Sequence, residues 1–305
     1  MSDRPKESTT LNTERADEAY AGLDSWSAGD IVAAVTDANR RAIEAVAAAQ
    51  PDLERAAAGI EKSLAAGGRL VYAGAGTSGR LGVMDAAELA PTFGFDDVAV
   101  VLAGGGEAQA RAQEGAEDDR RAAERQIDAL GLGANDALIG IAASGRTPFT
   151  VAAVRHAKAR GAFTVGIANN AGTPLLAVGD VGVLLDTGPE VLAGSTRLAA
   201  GTAQKAALNA LSTAALVRLG GAYDNLMVGM RPLNAKLKQR AVEIVAQASG
   251  LAEIDAAEAL ERANGDIRAA IVLAATNLSA ADAKALLARS GSRVRAAIAA
   301  ARAWR

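Results

Sequence analysis

Short apolar runs alternate with helical patterns through the middle of this chain. The runs lie at 69–73, 98–102, 136–142, 163–168 and 180–185. Helical stretches separate them at 79–89, 107–130 and 147–160, and the connection over 169–179 has room for about one turn of helix. Near-continuous Val, Ile, Leu and Ala are typical of parallel strands that helices cover on both faces. The alternation therefore predicts an α/β fold, a three-layer α/β/α domain with a five-stranded parallel sheet.

Helical periodicity continues on both sides of this central region. Apolar residues recur at helical spacing over 27–67, with Pro51 between two helices, and again over 195–219 and 233–249. The end of the chain predicts a small bundle of short helices, with Asp266 and Ser279 as N-caps. We therefore expect a flexible N-terminal segment over 1–28, the main domain with flanking helices over 29–248, and a small helical domain over 249–305.

The composition argues against several kinds of chemistry and partner. The chain has no cysteine and one histidine, which leaves out disulfides, thiol nucleophiles and the usual zinc ligand sets. A net charge of −3 gives no general basis for binding nucleic acid or a membrane surface, and charges or glycines interrupt every apolar stretch. The first residues, Met1–Glu7, lack the apolar core of a signal peptide. We expect a cytoplasmic protein without metal, cofactor, nucleic-acid partner or membrane partner.

A glycine-rich turn follows the first apolar run. Gly74, Gly76 and Gly79 are spaced as GxGxxG, with two hydroxyl residues before the third glycine, and a helical pattern follows. Small residues let a phosphate approach the backbone, and the free N–H groups at a helix N-terminus favour its negative charge. The same spacing matches the dinucleotide fingerprint, but the next run ends at Leu102 without the acidic residue that this fingerprint requires. A small phosphorylated ligand is therefore favoured over a dinucleotide.

Three further predicted loops carry similar groups at strand ends: Ser144-Gly145-Arg146-Thr147, Asn169-Asn170, and Gly194-Ser195-Thr196-Arg197. Ligands of open α/β sheets bind at the carboxyl ends of the strands, so these loops can converge on one pocket. Glycine and hydroxyl residues are also ordinary turn residues, and one such loop alone would indicate nothing more. Two similar loops favour a phosphate pocket, whose candidate binding residues are Gly76, Thr77, Ser78, Ser144, Arg146 and Thr147.

Glu88 is the most unusual carboxylate. It lies in the run Ala86-Ala87-Glu88-Leu89-Ala90-Pro91, an apolar setting that would desolvate it and suit an acid or base near neutral pH. An ion pair with Arg80 accounts for it equally well. The carboxylates of Glu117 and its neighbours are mixed with arginines, a pattern that indicates a solvated face for most of them.

These motifs together resemble the N-acetylmuramic acid 6-phosphate etherase family, which is built on a SIS (sugar isomerase) domain. The resemblance extends from about Asn12 to the C-terminus. Its matching runs are 74–82, 85–94, 114–118, 141–148, 188–197, 200–205, 225–228 and 234–237. The helical end of the chain resembles the small bundle that ends these proteins.

The resemblance implies an enzyme and its two acid–base groups. The family cleaves the D-lactyl ether of N-acetylmuramic acid 6-phosphate by elimination and hydration, giving N-acetylglucosamine 6-phosphate and D-lactate in the recycling of peptidoglycan. No metal or redox cofactor takes part, and a homodimer is expected. The family's glutamates fall on Glu88, as the proton donor to lactate, and on Glu117, as the partner base. Two coupled carboxyls leave the assignment of these roles open.

Two other functions compete with this one. The first is a regulatory protein that senses a phosphosugar without turning it over, like the glucokinase regulator that shares the glycine-loop signature. A pair of acid–base carboxyls and a single SIS domain favour the enzyme. The second is a nucleotide-dependent oxidoreductase, which the missing ribose-binding acid disfavours.

Overall fold

The computed structural model describes residues 11–109, 113, 115–232, 234–276 and 278–303. The chain divides into two compact units. The first unit is Met1–Asp85 with Val98–Leu211, and the second is Ala86–Asp97 with Ser212–Arg305. These limits differ from residues 28 and 248, and the three-part division drawn from the sequence stays a prediction.

A parallel sheet forms the centre of the first unit. Its strands are β1 (Leu70–Gly74), β2 (Val98–Leu102), β3 (Ala137–Ile141), β4 (Phe163–Ala168) and β5 (Val181–Leu184). Their order is β2-β1-β3-β4-β5, and each neighbouring pair is parallel. The prediction of a five-stranded parallel sheet with flanking helices is confirmed.

Helices connect and flank these strands. They are α1 (Ala28–Ala48), α2 (Gln50–Ala65), α3 (Gly76–Phe93), α4 (Arg120–Leu130), α5 (Pro148–Ala159), α6 (Pro174–Val178) and α7 (Ala199–Leu216). Ser27 caps α1 by accepting a hydrogen bond from the N–H of Asp30, and Pro51 lies in the first turn of α2. Proline is tolerated there because a first-turn N–H has no intrahelical acceptor.

Alternating side chains of the strands fill the core of the first unit. Val71 and Leu138 belong to a buried cluster with Phe149 of α5 and Ile127 of α4. Successive strand side chains point to opposite faces of a sheet. Strands β1 and β3 are buried at every position, so both of their faces are covered, as their continuous apolar sequences predict.

An ion pair joins the amino ends of β1 and β3. Asp136 accepts hydrogen bonds from the backbone N–H, Nε and Nη2 of Arg69, and one from the N–H of Gly133. Burial raises the pKa of Asp136, but these hydrogen bonds and the charge of Arg69 outweigh burial and hold the pKa below its ordinary value. The pair fixes the two strands at the end opposite their glycine-bearing loops.

A second polar network is buried where α3 packs on the sheet. The Tyr72 hydroxyl donates to Asp85 Oδ2 at 2.6 Å, and Asn209 Nδ2 of α7 donates to Oδ1 at 2.7 Å. Burial, and after it the adjacent Asp85 carboxylate, raise the pKa of Tyr72 well above its ordinary value. The phenol therefore keeps its proton and donates a hydrogen bond to the carboxylate, which attaches α3 to β1 and α7.

The second unit is a helical bundle with a short hairpin. Its further elements are β6 (Ala222–Tyr223), β7 (Leu226–Met227), α8 (Ala235–Ser249), α9 (Glu253–Arg262), α10 (Ile267–Thr276), α11 (Ala280–Arg289) and α12 (Val294–Ala303). Helix α10 is buried along most of its length at the centre of the bundle. Asp266 and Ser279 accept hydrogen bonds from N–H groups three residues later, as expected of N-caps.

None of the described helices alone is long and apolar enough to cross a membrane. The bent pair α10 and α11, at an angle of 109°, meets the criteria of length and composition together.

The structure differs from the predicted elements in three places. The helix predicted over 107–130 begins only at Arg120, because Gly115 adopts a left-handed conformation and Asp119 caps the helix. The hairpin of β6 and β7 is too short to give an alternating pattern, and Asp224 in its turn has a positive φ. Residues 1–10 of the predicted flexible segment lie outside the described residues, while 3₁₀ helices form at Asn12–Glu14, Glu18–Tyr20 and Leu23–Ser25.

Candidate functional site

A polar cavity of about 410 Å³ lies at the carboxyl ends of the strands in the first unit. Its walls are residues 75–78, 117–118, 142–144 and 146–148, together with Glu14 and Thr196. Loops that follow β1 and β3 therefore share one cavity, because these strands are neighbours in the sheet. Cavities of this size are typical of small-molecule sites.

The glycine turn after β1 brings the start of α3 against the strand. A Cβ atom on Gly74 would lie 2.9 Å from the backbone of Gly79, so neither position has room for a side chain. Gly76 has a φ of +53°, which favours glycine. This turn presents Thr77 and Ser78 to the cavity, with the first N–H groups of α3 free of intrahelical acceptors.

The loop after β3 supplies a second set of polar groups. Ser144 Oγ accepts a hydrogen bond from the N–H of Arg146 at 3.1 Å and lies 3.4 Å from Thr147 Oγ1. Gly145 between them has a φ of +62°, and a Cβ there would overlap the side chain of Thr173. Helix α5 begins directly after this loop, so two helix N-termini face the same cavity. Their dipoles, the hydroxyls and the Arg146 guanidinium favour an anionic group such as a phosphate.

Glu117 brings a carboxylate to this cavity. It lies on a short 3₁₀ helix, Ala116–Asp118, which follows the left-handed Gly115 and precedes the cap of α4. Glu117 and Asp118 both line the cavity, and Glu117 is exposed to it. The site thus combines groups that bind an anion with a carboxylate that can accept or donate a proton.

Comparison with known proteins identifies the family. A model of the glucokinase regulatory protein N-terminal SIS domain matches residues 52–158, and a SIS domain model matches residues 122–214. The chain is 52% identical over 264 residues to an N-acetylmuramic acid 6-phosphate etherase of Deinococcus radiodurans, covering 86% of each chain. It is 48% identical over 264 residues to one of Rubrobacter xylanophilus, covering 86% of this chain and 88% of the relative.

The chain belongs to the N-acetylmuramic acid 6-phosphate etherase family. The resemblance stated from the sequence motifs is confirmed at this level. Among solved structures, a phosphoheptose isomerase from Francisella tularensis is similar, with a TM-score of 0.48 and 18% identity over 62% of this chain and 98% of that one.

Most of the sequence-predicted site residues come together in this etherase-family chain. Gly76, Thr77, Ser78, Ser144, Arg146, Thr147 and Glu117 all line the cavity of the first unit. Glu88 lies on α3 in the second unit, and its side chain is exposed. The expectation that its apolar neighbours bury it is wrong, because the turns of α3 direct Ala86 and Leu89 inward and Glu88 outward. Arg80 donates from Nε to the carbonyl oxygen of Ala108 at 3.1 Å.

The asparagines after β4 have a structural use instead of lining the cavity. Asn169 donates to the carbonyl oxygen of Leu185 and accepts from Nε2 of Gln204, and both side chains are buried. Asn170 donates to the carbonyl oxygen of Ala143, whose residue does line the cavity. This pair holds the cavity wall in place.

Glu14 was not singled out from the sequence, and Asp118 and Pro148 were recognised only as parts of the runs over 114–118 and 141–148. Glu14 follows a polar N-terminal stretch with no periodic pattern that could assign it to the sheet. Thr196 was recognised only as part of its loop. Contacts between distant parts of the chain bring these residues to the cavity, and no local spacing reports such contacts.

Glu190 holds the loop that carries Thr196. Its carboxylate is fully buried and accepts hydrogen bonds from the N–H groups of Ala199 and Ala200 at 2.9 Å each. These are the first residues of α7, so Glu190 caps this helix from nine residues away along the chain. Burial raises the pKa of Glu190, and the two backbone hydrogen bonds oppose this shift without cancelling it.

Replacing Glu190 is expected to destabilise the protein in a pH-dependent way. Glu190→Ala leaves two buried N–H groups without acceptors and should lower the free energy of unfolding by about 2–4 kcal/mol. Glu190→Gln keeps one acceptor but does not titrate. Because the folded-state pKa of Glu190 is raised, the advantage of wild type over Glu190→Gln should be largest below the ordinary glutamate pKa and shrink as pH rises through the raised one.

Urea unfolding of wild type and both variants between about pH 4 and about pH 7 measures this difference. Glu54→Ala, on the exposed face of α2, is the matched control and should have little effect. A wild-type advantage over Glu190→Gln that stays constant across this range would contradict the raised pKa.

Proposed function

We propose that this chain cleaves the D-lactyl ether of N-acetylmuramic acid 6-phosphate to N-acetylglucosamine 6-phosphate and D-lactate, as a carbon–oxygen lyase. Membership of the etherase family supports the proposal. The observation that carries it is the single cavity in which Glu117 faces the hydroxyl groups of two phosphate-type loops. A sugar phosphate can be held by its phosphate there while a carboxylate reaches the sugar.

The phosphate is assigned to the two loops that open α3 and α5. Thr77, Ser78, Ser144 and Thr147 supply hydroxyl donors, Gly76 lets the ligand approach the backbone, and Arg146 supplies the positive charge. The buried position of Ser78 and the hydrogen bonds around Ser144 hold these donors in place before the ligand binds. Such preorganisation reduces the entropy lost on binding.

The reaction needs water and acid–base groups. When the sugar ring is open, the C1 aldehyde acidifies the proton on C2. A base removes this proton, the C2–C3 double bond forms, and the C3–oxygen bond breaks as lactate leaves with a proton from an acid. Water then adds its oxygen to C3 and a proton returns to C2. Two carboxyl groups suffice for these steps.

We assign the base to Glu117 and the proton donor to Glu88. Glu117 lines the cavity that the phosphate loops form, which supports its role close to C2. The assignment of Glu88 rests on the family resemblance of the run over 85–94.

The competing proposal is a sensor that binds a phosphosugar without reacting. A family model described as the N-terminal SIS domain of a regulatory protein matches residues 52–158, but the relatives that are 48% and 52% identical over most of the chain are etherases. A carboxylate at the sugar end of the cavity is needed for turnover and not for sensing. We therefore favour the enzyme.

We further propose that the enzyme works in the cytoplasm in peptidoglycan and amino-sugar recycling, as a homodimer. Val32 and Ile43 of α1 are 65% and 50% exposed and lie about three helical turns apart on one face. The homodimer is taken from the family resemblance, and these two exposed side chains lie on a face that a second copy could cover. Sedimentation equilibrium should therefore give twice the monomer mass, and the monomer mass alone at micromolar concentration would contradict the dimer.

Incubation with N-acetylmuramic acid 6-phosphate should release D-lactate. In water enriched in heavy oxygen, the label should appear at C3 of the sugar product, because hydration forms the new C3–oxygen bond. Mass spectrometry of both products measures this. Lactate release without label on the sugar would contradict the elimination, and binding without any release would favour the sensor.

Exchange of the C2 proton separates the two carboxylates. Glu117→Gln should lose turnover by at least about a hundredfold and should also lose C2 exchange with deuterated water, since it removes the base. Glu88→Gln should stop lactate release while C2 exchange persists, because only the proton donor is missing. Glu124→Gln, on the exposed face of α4, is the control. Exchange that persists in Glu117→Gln would contradict its assignment as base.

A further inference from the structure

We propose that Glu14 is a substrate-contacting residue of this cavity, whose carboxylate accepts hydrogen bonds from the hydroxyl and amide N–H donors of the bound hexosamine. The identity of the sugar rests on the function proposed above. Glu14 lines the same cavity of the first unit as Glu117, Thr77 and Ser144.

Thr13, next to Glu14, forms hydrogen bonds with the loops that follow β4 and β5. Thr13 is fully buried, and its Oγ1 accepts a hydrogen bond from Nδ2 of Asn170 at 3.0 Å. Its N–H donates to Oδ1 of Asn170, and its carbonyl oxygen accepts from the N–H of Gly194 at 3.0 Å. Terminal segments are poorly ordered unless they are tied down in this way. The backbone and side chain of Thr13 thus anchor this stretch, which leaves the carboxylate of Glu14 unused by the anchor.

The position of the Glu14 side chain is restricted on its other side by Gly194. A Cβ on Gly194 would lie 2.8 Å from Oε2 of Glu14, and Gly194 has a φ of +77°. The carboxylate therefore lies directly against the glycine backbone, two residues before Thr196, another wall residue. Gly194 has no side chain, which leaves this space to the Glu14 carboxylate.

The charge of Glu14 decides which part of the ligand it can contact. A carboxylate repels a phosphate and accepts hydrogen bonds, so it suits the neutral donors of the sugar. Within the described part of the chain, the Glu14 carboxylate has no hydrogen-bond or ion-pair partner of its own. Its acceptor capacity is therefore available to a ligand, while the phosphate goes to the hydroxyl and arginine groups of the loops.

Calorimetric titration with N-acetylglucosamine 6-phosphate and with inorganic phosphate tests whether Glu14 contacts the sugar and the loops bind the phosphate. Glu14→Ala should bind the sugar phosphate about tenfold more weakly, because a hydrogen bond to a charged acceptor is lost, and Glu14→Gln should lose less. Inorganic phosphate should bind both variants as well as wild type or more tightly, since a nearby negative charge is gone. Glu18→Gln, an exposed glutamate of the same segment that does not line this cavity, is the matched control.

Each outcome decides the proposal. Unchanged sugar-phosphate binding in Glu14→Ala overturns it, and an equal loss for both ligands also overturns it, since Glu14 would then act only on the shape of the phosphate loops. Failure of wild type to bind the sugar phosphate overturns both this proposal and the etherase. If Glu14→Ala loses only sugar-phosphate binding and the wild-type chain releases no lactate, the substrate contact of Glu14 is supported and the etherase function is contradicted. If Glu14→Ala fails to fold, Glu14→Gln, which preserves size and shape, gives the same comparison.

Discussion

The parallel pairing of β1 with β3 is the constraint on which the site depends. Gly74 lies opposite Ile141 in the register, so the two strands end side by side and release their loops at the same edge. The bonds of Asp136 to Arg69 fix the other end of the same pair. Two helices then begin next to each other, and their N-termini create a place for an anion before any side chain contributes. Fold and phosphate site are thus consequences of one pairing.

Local pattern predicted the sheet well because the inner strands β1, β3 and β4 are buried on both faces and need nearly continuous apolar runs. The same reasoning failed over 107–130, where polar helical periodicity continues through Gly115 although its backbone is left-handed. Two-residue strands such as β6 and β7 are too short to show the alternation of apolar and polar residues that predicts a strand. A hydrophobic pattern in the sequence predicts burial over several residues, but it does not predict the backbone dihedral angles of a single residue.

The candidate site was predictable where its residues follow a strand directly. The loops at 76–78 and 144–147 carry their polar groups at positions that the sheet topology determines. Glu88 shows the limit of local context, because apolar neighbours on a helix can all point away from a residue between them. Glu14 shows another limit, since its place depends on a contact between Thr13 and Asn170 that no spacing reports.

That contact joins residues 157 positions apart, and it has a consequence for how the protein is made. The stretch around Thr13 is synthesised before its partner Asn170, which exists only after β1 to β4 have been made. Long-range contacts form late in folding, although the entropy of closing the longer loop grows only slowly. A few side-chain hydrogen bonds hold this stretch, so it can also open while the sheet stays intact. The part of the pocket wall at Glu14 therefore depends on contacts that only the later part of the chain supplies.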